Sequence, residues 1–399
     1  MQALSGIKIL DLTRVLAGPF CTQMLADLGA EVVKVESLQG DDTRRWGPPF
    51  REGESAYYLS TNRGKQSLAV DLKDPRGADL VRRMAARADV LIENFKVGGL
   101  RRFGLDYPAL RALNLRLVYA SITGFGQTGP RAAEPGYDVV LEALTGIMSV
   151  TGPVDGEPSK VGVAWLDLLT GLTAAVGILA ALRERGASGK GQYIDLALFD
   201  VGVMAMANQA QSYLMTGVAP RRWGNAHPQI VPYQTFRAAD DWFMLAVGND
   251  DQYRRMVHAA GHPELWNDPR FRTNAGRVAA REELVARLRD ILAGEPREVW
   301  MQRFRDAGVP AAPVLGIGDA FGDAQALARN VKWSVAHPTL GDTDVVADPL
   351  QHMSRTPARA GSAPPRLGAD TRSVLARWLG LDQAEIDRLL DAGVVRAQS

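Results

Sequence analysis

Through its N-terminal half the chain alternates short β-branched runs with helical patterns, and this alternation constrains the fold more than any other feature. Strand-like segments at residues 6–12, 31–36, 67–72, 88–93, 117–122 and 192–196 are separated by helical stretches, among them 19–28 and 75–86. The second of these helices opens with Asp74-Pro75, a capping side chain followed by proline in the first turn, where a missing N–H is harmless. Strand, helix, strand in repetition requires crossover connections, which lay successive strands parallel with helices on both faces. The expected class is α/β, with a doubly wound large domain. Such sheets bind ligands beyond the carboxyl ends of their strands, here the loops after Leu12, Glu36, Glu93 and Ile122.

At 399 residues the chain exceeds what one core usually serves, so two domains of unequal size are expected. The middle reads differently from the ends: strand-like 231–237 and 242–247 precede Arg- and Glu-rich helices running from 250 to about 294, the pattern of a smaller α+β domain. The expected division puts 1–220 and 310–399 in the large domain and 221–309 in the small one. A strand at 310–315 and a helix at 317–329 open the return, residues 356–368 (TPARAGSAPPRLG) read as a linker, and 382–392 as a capped amphipathic helix.

Composition excludes several classes. Lys plus Arg (46) nearly cancel Asp plus Glu (45), so no basic field points to nucleic acid and a ligand must be recognised locally. The single cysteine, Cys21, can form neither an internal disulfide nor a cysteine metal cluster; beside Phe20 and Met24 it reads as a buried thiol in a reducing cytoplasm. Among the histidines only His258 and His262 are closely spaced, on a polar helix, so no metal site is expected. The N-terminus lacks the regions of a signal peptide. The apolar run 166–182 nears membrane-spanning length but carries the Gly, Thr and Ala of a buried core helix, so no membrane association is expected.

Asp167 stands at the head of that run. A lone carboxylate there is paired, capping or reactive, because an isolated buried charge is costly. Asp is a favoured N-cap, and a helix dipole keeps such a carboxylate ionised, so capping and nucleophilicity are compatible. Gly186-x-x-Gly189-x-Gly191 follows a helix and precedes a strand, the reverse of a dinucleotide loop, and reads as a helix C-terminal turn. The loop 124–130 (GFGQTGP) follows a strand, and composition leaves a site loop and a plain turn equally open. Arg44-Arg45 and Arg101-Arg102 suit phosphate or a solvated surface equally.

Further motifs occur in order: ILDLTRVLAGP at 9–19, LGAEVVKVE at 28–36, NRGKQSL at 62–68, Asp71-Leu72-Lys73, Glu93-Asn94-Phe95 and Gly136-Tyr137-Asp138. With Asp167-x-x-Thr170-Gly171 and Gly189-x-Gly191-Gln192-x-Ile194-Asp195 they resemble the family III CoA-transferases, the group that includes formyl-CoA transferase and carnitine CoA-transferase. The resemblance runs from about residue 5 to the tail at Val394. It implies an interlocked homodimer whose Rossmann-like large domain is built from both chain ends, with a small domain between. It implies that Asp167 is the nucleophile, passing through aspartyl anhydride and aspartyl-CoA thioester intermediates, with no prosthetic group or metal and with CoA and acyl-CoA as substrates. The CoA contacts it implies are Arg14, Val15, Ala17, Val70, Lys73, Asn94, Phe95, Lys96, Arg102 and Tyr137, the cations among them suited to phosphate.

Two departures bear on the substrate. The formyl-CoA enzyme has glutamine where this chain has Leu16 and arginine where it has Ser37, so formyl and oxalyl chemistry is not expected. Its glycine-rich lid is matched only by the short Val247-Gly248-Asn249-Asp250. The nearest rival, an α-methylacyl-CoA racemase or epimerase, needs two bases and carries Gly-His-Asp where this chain has Gly136-Tyr137-Asp138; a phenol with a pKa of ~10 replaces that histidine poorly. A noncatalytic CoA-binding protein would leave Asp167 as a cap alone. Arg63, Arg221 and Arg222 can supply a cation for a dicarboxylic acid or be surface residues, and the expected exchange runs from succinyl-CoA to a small carboxylic or dicarboxylic acid.

Overall fold

The strand-like runs of the N-terminal half assemble into one sheet in the computed structural model, which describes residues 1–398. The strands are β1 (Lys8–Leu12), β2 (Glu31–Glu36), β3 (Lys65–Val70), β4 (Val90–Glu93), β5 (Val118–Thr123) and β6 (Tyr193–Ala197). They lie in the order β3-β2-β1-β4-β5-β6, all parallel, and the short strand Val395–Arg396 adds antiparallel to the β3 edge. Neighbouring residues of one strand point to opposite faces, and both faces are covered. Leu10, Val33 and Leu91 join a core closed by Val374, Leu375 and Trp378, whereas Ile9, Val32 and Ile92 join one containing Cys21, Leu25 and Ile178. Strand order reverses between β1 and β4, the position where a doubly wound sheet opens a crevice.

Helix α1 (Ala17–Asp27) follows β1, and α2 (Pro75–Ala85) follows β3 with Asp74 accepting from the Arg76 N–H as expected. The short α3 (Asp138–Leu144) precedes the long α4 (Trp165–Ser188), which ends at Gly189 in the left-handed conformation, φ 74°. The apolar run is only half a core helix. Thr170, Gly171, Ala174, Ala175, Ile178 and Ala181 are buried, but Leu172, Val176 and Leu179 on the other side are exposed. By length and apolarity α4 also meets the measure of a membrane-crossing helix.

The larger unit comprises residues 1–147, 161–215 and 327–399. It contains a hairpin, Lys332–His337 with Gly341–Val346, which the sequence reading did not expect, and C-terminal helices that include Thr371–Leu379. The stretch 356–368 is no free linker: the Ser362 carbonyl accepts from the Gly64 N–H at 2.7 Å, the Pro365 carbonyl from Arg44, and Ala363, Pro364 and Pro365 are buried. Proline fixes this segment extended without secondary structure, so composition alone made it resemble a tether.

The smaller unit comprises residues 148–160 and 216–326. Its three-stranded antiparallel sheet has β8 (Trp242–Ala246) between β7 (Tyr233–Arg237) and β9 (Ala311–Pro313). Helices including Asp250–Ala259, Arg281–Leu292 and Arg297–Asp306 cover a core of Phe243, Tyr253, Phe271, Leu288, Trp300 and Phe304. The expected return at residue 310 is corrected, because β9 pairs with β8 and keeps residues up to 326 in this unit. The Val247-Gly248-Asn249-Asp250 segment is a helix cap: the Asn249 side chain accepts from the Gln252 N–H at 2.9 Å.

Candidate active site

The β1 and β4 loops are stitched together at the strand-order reversal. The Arg14 N–H donates to Asn94 Oδ1 at 3.0 Å, Asn94 Nδ2 donates to the Arg14 carbonyl at 2.8 Å, and the Arg14 guanidinium lies over the Phe95 ring. Two cavities open on either side. A wider one, about 550 Å³, lies beyond the ends of β1, β2 and β3 and is lined by Val70, Lys73 and Arg102. A narrower one, about 220 Å³, is lined by Val15, Ala17, Asn94, Lys96, Tyr137 and Asp167. Arg14, Asp42 and Phe95 line both, so Asp167 and each of the implied CoA contacts face one or both cavities. The two departures do too, Ser37 on the wider and Leu16 on the narrower.

A buried ionic network holds the β1 loop in place. Lys34 Nζ donates to the Thr13 carbonyl at 2.9 Å and pairs with Asp41 at 2.9 Å, while Lys65 pairs with Asp11 at 3.1 Å; Asp11, Lys34 and Lys65 are buried. Burial pushes the Asp11 carboxyl up, but Lys65, Lys34 and the Thr13 and Thr22 hydroxyls outweigh it and hold it at about 2. Burial pulls the Lys65 ammonium down to about 8 against the attraction of Asp11. Two residues beyond Thr13, Val15 sits at φ 71°, a left-handed conformation costly for a β-branched residue and sustained by such a rigid surround.

Asp167 is not the helix cap. Helix α4 begins two residues before it, Ala164 holds the cap position, and no side chain caps there. Asp167 instead lies in the first turn, and its own N–H donates to the Asp138 carboxylate at 3.1 Å. Burial, and then the charge of Asp138, push the Asp167 carboxyl up to about 7. The expectation that the helix terminus keeps it ionised is therefore corrected: desolvation and a like charge outweigh the dipole in a half-buried cleft.

Sequence reasoning missed three neighbours. Asp138 was visible only as the end of a motif. Trp46 lines the narrower cavity and meets Tyr57 edge to face at 5.1 Å. The Tyr57 hydroxyl is pushed up to about 12 by burial and by the charges of Asp167 and Asp138. The open question about the loop after β5 is answered by Gly124, which lines the narrower cavity. A Cβ on Gly124 would stand 2.8 Å from Gly136 Cα, so only glycine lets the two segments touch and brings Tyr137 and Asp138 to the end of β5.

Several expected cations are engaged elsewhere. Arg63 is buried against Asp27, its Nε donating at 3.0 and 3.1 Å and its Nη2 at 2.5 Å, and faces neither cavity. Arg222 donates to the carbonyls of Pro153 and Gly156, and Arg44 is held by Glu36 and Tyr58. Arg45 does line the wider cavity, whereas Arg101 is exposed, 3.9 Å from Asp106. Among the described residues no His, Cys, Asp and Glu side chains group as metal ligands.

Comparison with known proteins gives the family. The description CoA-transferase family III matches residues 4–371. The chain is 47% identical over 385 residues to the succinate–glutarate CoA-transferase of Agrobacterium fabrum, covering 94% of this chain and 95% of the relative. It is 43% identical over 396 residues to the succinyl-CoA:glutarate CoA-transferase of Mus musculus, covering 99% and 91%. The crystal structure of a CAIB/BAIF family protein from Brucella suis superposes with a TM-score of 0.85 at 44% identity, covering 94% of this chain and 99% of that one. With a matching family description over nearly its whole length and such relatives, the chain belongs to CoA-transferase family III and is an enzyme of that type.

Proposed function

We propose that this enzyme moves CoA from succinyl-CoA to glutarate, or to a dicarboxylic acid of similar size, with Asp167 as the covalent carrier. The observation that carries this reading is the half-buried Asp167 in a narrow cavity that shares Arg14, Asp42 and Phe95 with a wider, cation-lined one. The wider cavity suits the nucleotide end of CoA, with Lys73 and Arg102 as phosphate partners, and the narrower one suits the thioester. An Asp167 oxygen attacks the donor thioester carbonyl, the C–S bond breaks, and a mixed anhydride and CoA thiolate result. The thiolate attacks the aspartyl carbonyl and expels the donor acid, leaving an aspartyl-CoA thioester. The acceptor carboxylate attacks that thioester and releases thiolate again; the thiolate then takes the acceptor acyl group and returns Asp167 as a free carboxylate. No electrons are exchanged, and each step trades one acyl bond for another. Asp138 orients the nucleophile by accepting its N–H.

The names of the Agrobacterium and mouse relatives support the succinate and glutarate pair. The test is an exchange assay with succinyl-CoA and a panel of C1 to C6 acids. Glutaryl-CoA is expected to form with kcat/KM at least about tenfold above that for formate or oxalate, since one pocket methylene is worth 10–200-fold. No exchange with any acid, or formate as the best acceptor, would defeat the reading.

The same reading carries an interlocked homodimer, in which the exposed Leu172, Val176 and Leu179 of α4 are covered by a second chain. Sedimentation is expected to give twice the 43.2 kDa chain mass, with no dissociation on dilution. A 43.2 kDa species at micromolar concentration refutes it.

A further inference from the structure

A third cavity, of about 880 Å³, lies within the smaller unit and shares no lining residue with the other two. Arg221, Arg237, Arg281 and Arg289 line it, against a single acid, Glu282. The Arg221 and Arg281 guanidinium groups both lie over the indole of Trp223, 4.1 and 4.6 Å from the ring centroid. Several arginines elsewhere in this unit sit against carboxylates, as Arg270 does on Asp268, Arg297 on Asp241 and Arg303 on Glu295. Among the described residues none of the four cavity arginines has such a partner.

Arg281 carries the argument furthest. It is half-buried and donates one hydrogen bond, to the Pro228 carbonyl at 2.8 Å. Burial, and then the charge of Arg221, draw its guanidinium below the ordinary arginine range. Two like charges are thus held near one aromatic ring with no carboxylate paired to either among the described residues, an arrangement that an anion relieves. The floor beside them is apolar, formed by the buried Phe236 and Val285. The volume is that of an organic ligand rather than an inorganic ion.

We propose that this cavity binds an organic dianion with an apolar body, its charged end on Arg221 and Arg281 and its body against Trp223 and Phe236. Guanidinium forks accept carboxylate and phosphate alike, so the two sources are separated by the probes used. The full-length protein, carrying Lys73→Gln and Arg102→Gln to weaken anion binding at the large sheet, is titrated calorimetrically with phthalate, adenosine 3′,5′-bisphosphate and inorganic phosphate. At least one organic probe is expected to bind below about 1 mM and to weaken about tenfold or more with either Arg221→Gln or Arg281→Gln. Phthalate alone assigns the site to carboxylates, the bisphosphate alone to organic phosphates, and both to the shared chemistry. Inorganic phosphate is expected to bind at least about tenfold more weakly, as the apolar floor requires. The inference is overturned if neither organic probe reaches about 1 mM, if inorganic phosphate binds as well, or if Arg221→Gln leaves binding unchanged. Arg221 is exposed and makes no hydrogen bond among the described residues, so that variant stays informative even where Arg281→Gln disturbs the fold.

Discussion

Asp167→Asn is expected to lower kcat for CoA exchange by at least about 10⁴-fold, because the amide cannot form the anhydride on which every later step depends. Mass spectrometry after incubation with succinyl-CoA and then hydroxylamine is expected to find Asp167 converted to its hydroxamate in the native enzyme and unmodified without acyl-CoA. A variant retaining activity within about 100-fold of wild type would return Asp167 to a structural role. The raised carboxyl adds a pH signature. In the free enzyme kcat/KM is expected to rise with pH through about 7, as Asp167 ionises, and then to level. Stability moves the other way. A folded value of about 7 against an ordinary 3.8 means stability that is fully present below pH 3.8 and is lost as pH rises through 7. Relative to wild type, Asp167→Asn therefore gains stability between pH 4 and pH 8, on the order of 2 kcal/mol after allowance for the partial exposure of the group. Equal offsets at the two pH values in chemical denaturation would contradict the assigned environment.

Asp11→Ala carries the largest expected effect on folding. It strips the buried ammonium groups of Lys65 and Lys34 of a shared counter-charge, takes the carboxylate acceptor from the Thr13 hydroxyl and leaves the Thr22 hydroxyl only the Gly18 and Pro19 carbonyls. Breaking a buried pair from one side costs about 3–5 kcal/mol, far more than a surface pair, since the surviving charge stays desolvated. Removing both partners as Asp11→Leu with Lys65→Met is expected to cost less than the single change, a sign that the penalty lies in the orphaned charge. Here the pH dependence has the opposite sign to that of Asp167. With Asp11 held at about 2, its contribution is present above pH 3.8 and fades as pH falls towards 2, so wild type and variant converge in acid. A loss under about 1 kcal/mol at neutral pH would mean that the network adds little. Because Lys34 also grips the Thr13 carbonyl, a loosened network is expected to raise KM for acyl-CoA in the surviving folded protein.

What the sequence disclosed and what it hid follow from the range of the interactions concerned. The strands of the large sheet were legible because β-branched runs and cap residues are local, and their parallel direction follows from crossover geometry. Asp167 stood out through its motif, but its environment did not. The carboxylate that takes its N–H lies 29 residues earlier in the chain. Arg63 and Arg222 were read as free cations because a sequence does not disclose where a guanidinium finds its partner, here Asp27 and two backbone carbonyls. The unit boundary near 310 was misread for a similar reason: one three-residue strand pairing decides it. Trp46 and Tyr57 carried no signal beyond their own identities.

The separation into a wide and a narrow compartment, joined at Arg14 and Phe95, has a consequence for selectivity. On the function proposed above, the handle of an acyl-CoA is gripped in one chamber and its cargo is judged in another. A thioester bearing an ill-fitting acyl group will therefore dock nearly as well as the right one and stall there, a competitive inhibitor rather than a stranger. In a cell rich in assorted acyl-CoAs the enzyme would be governed by how many wrong cargoes occupy it, so its flux would report the composition of the whole pool.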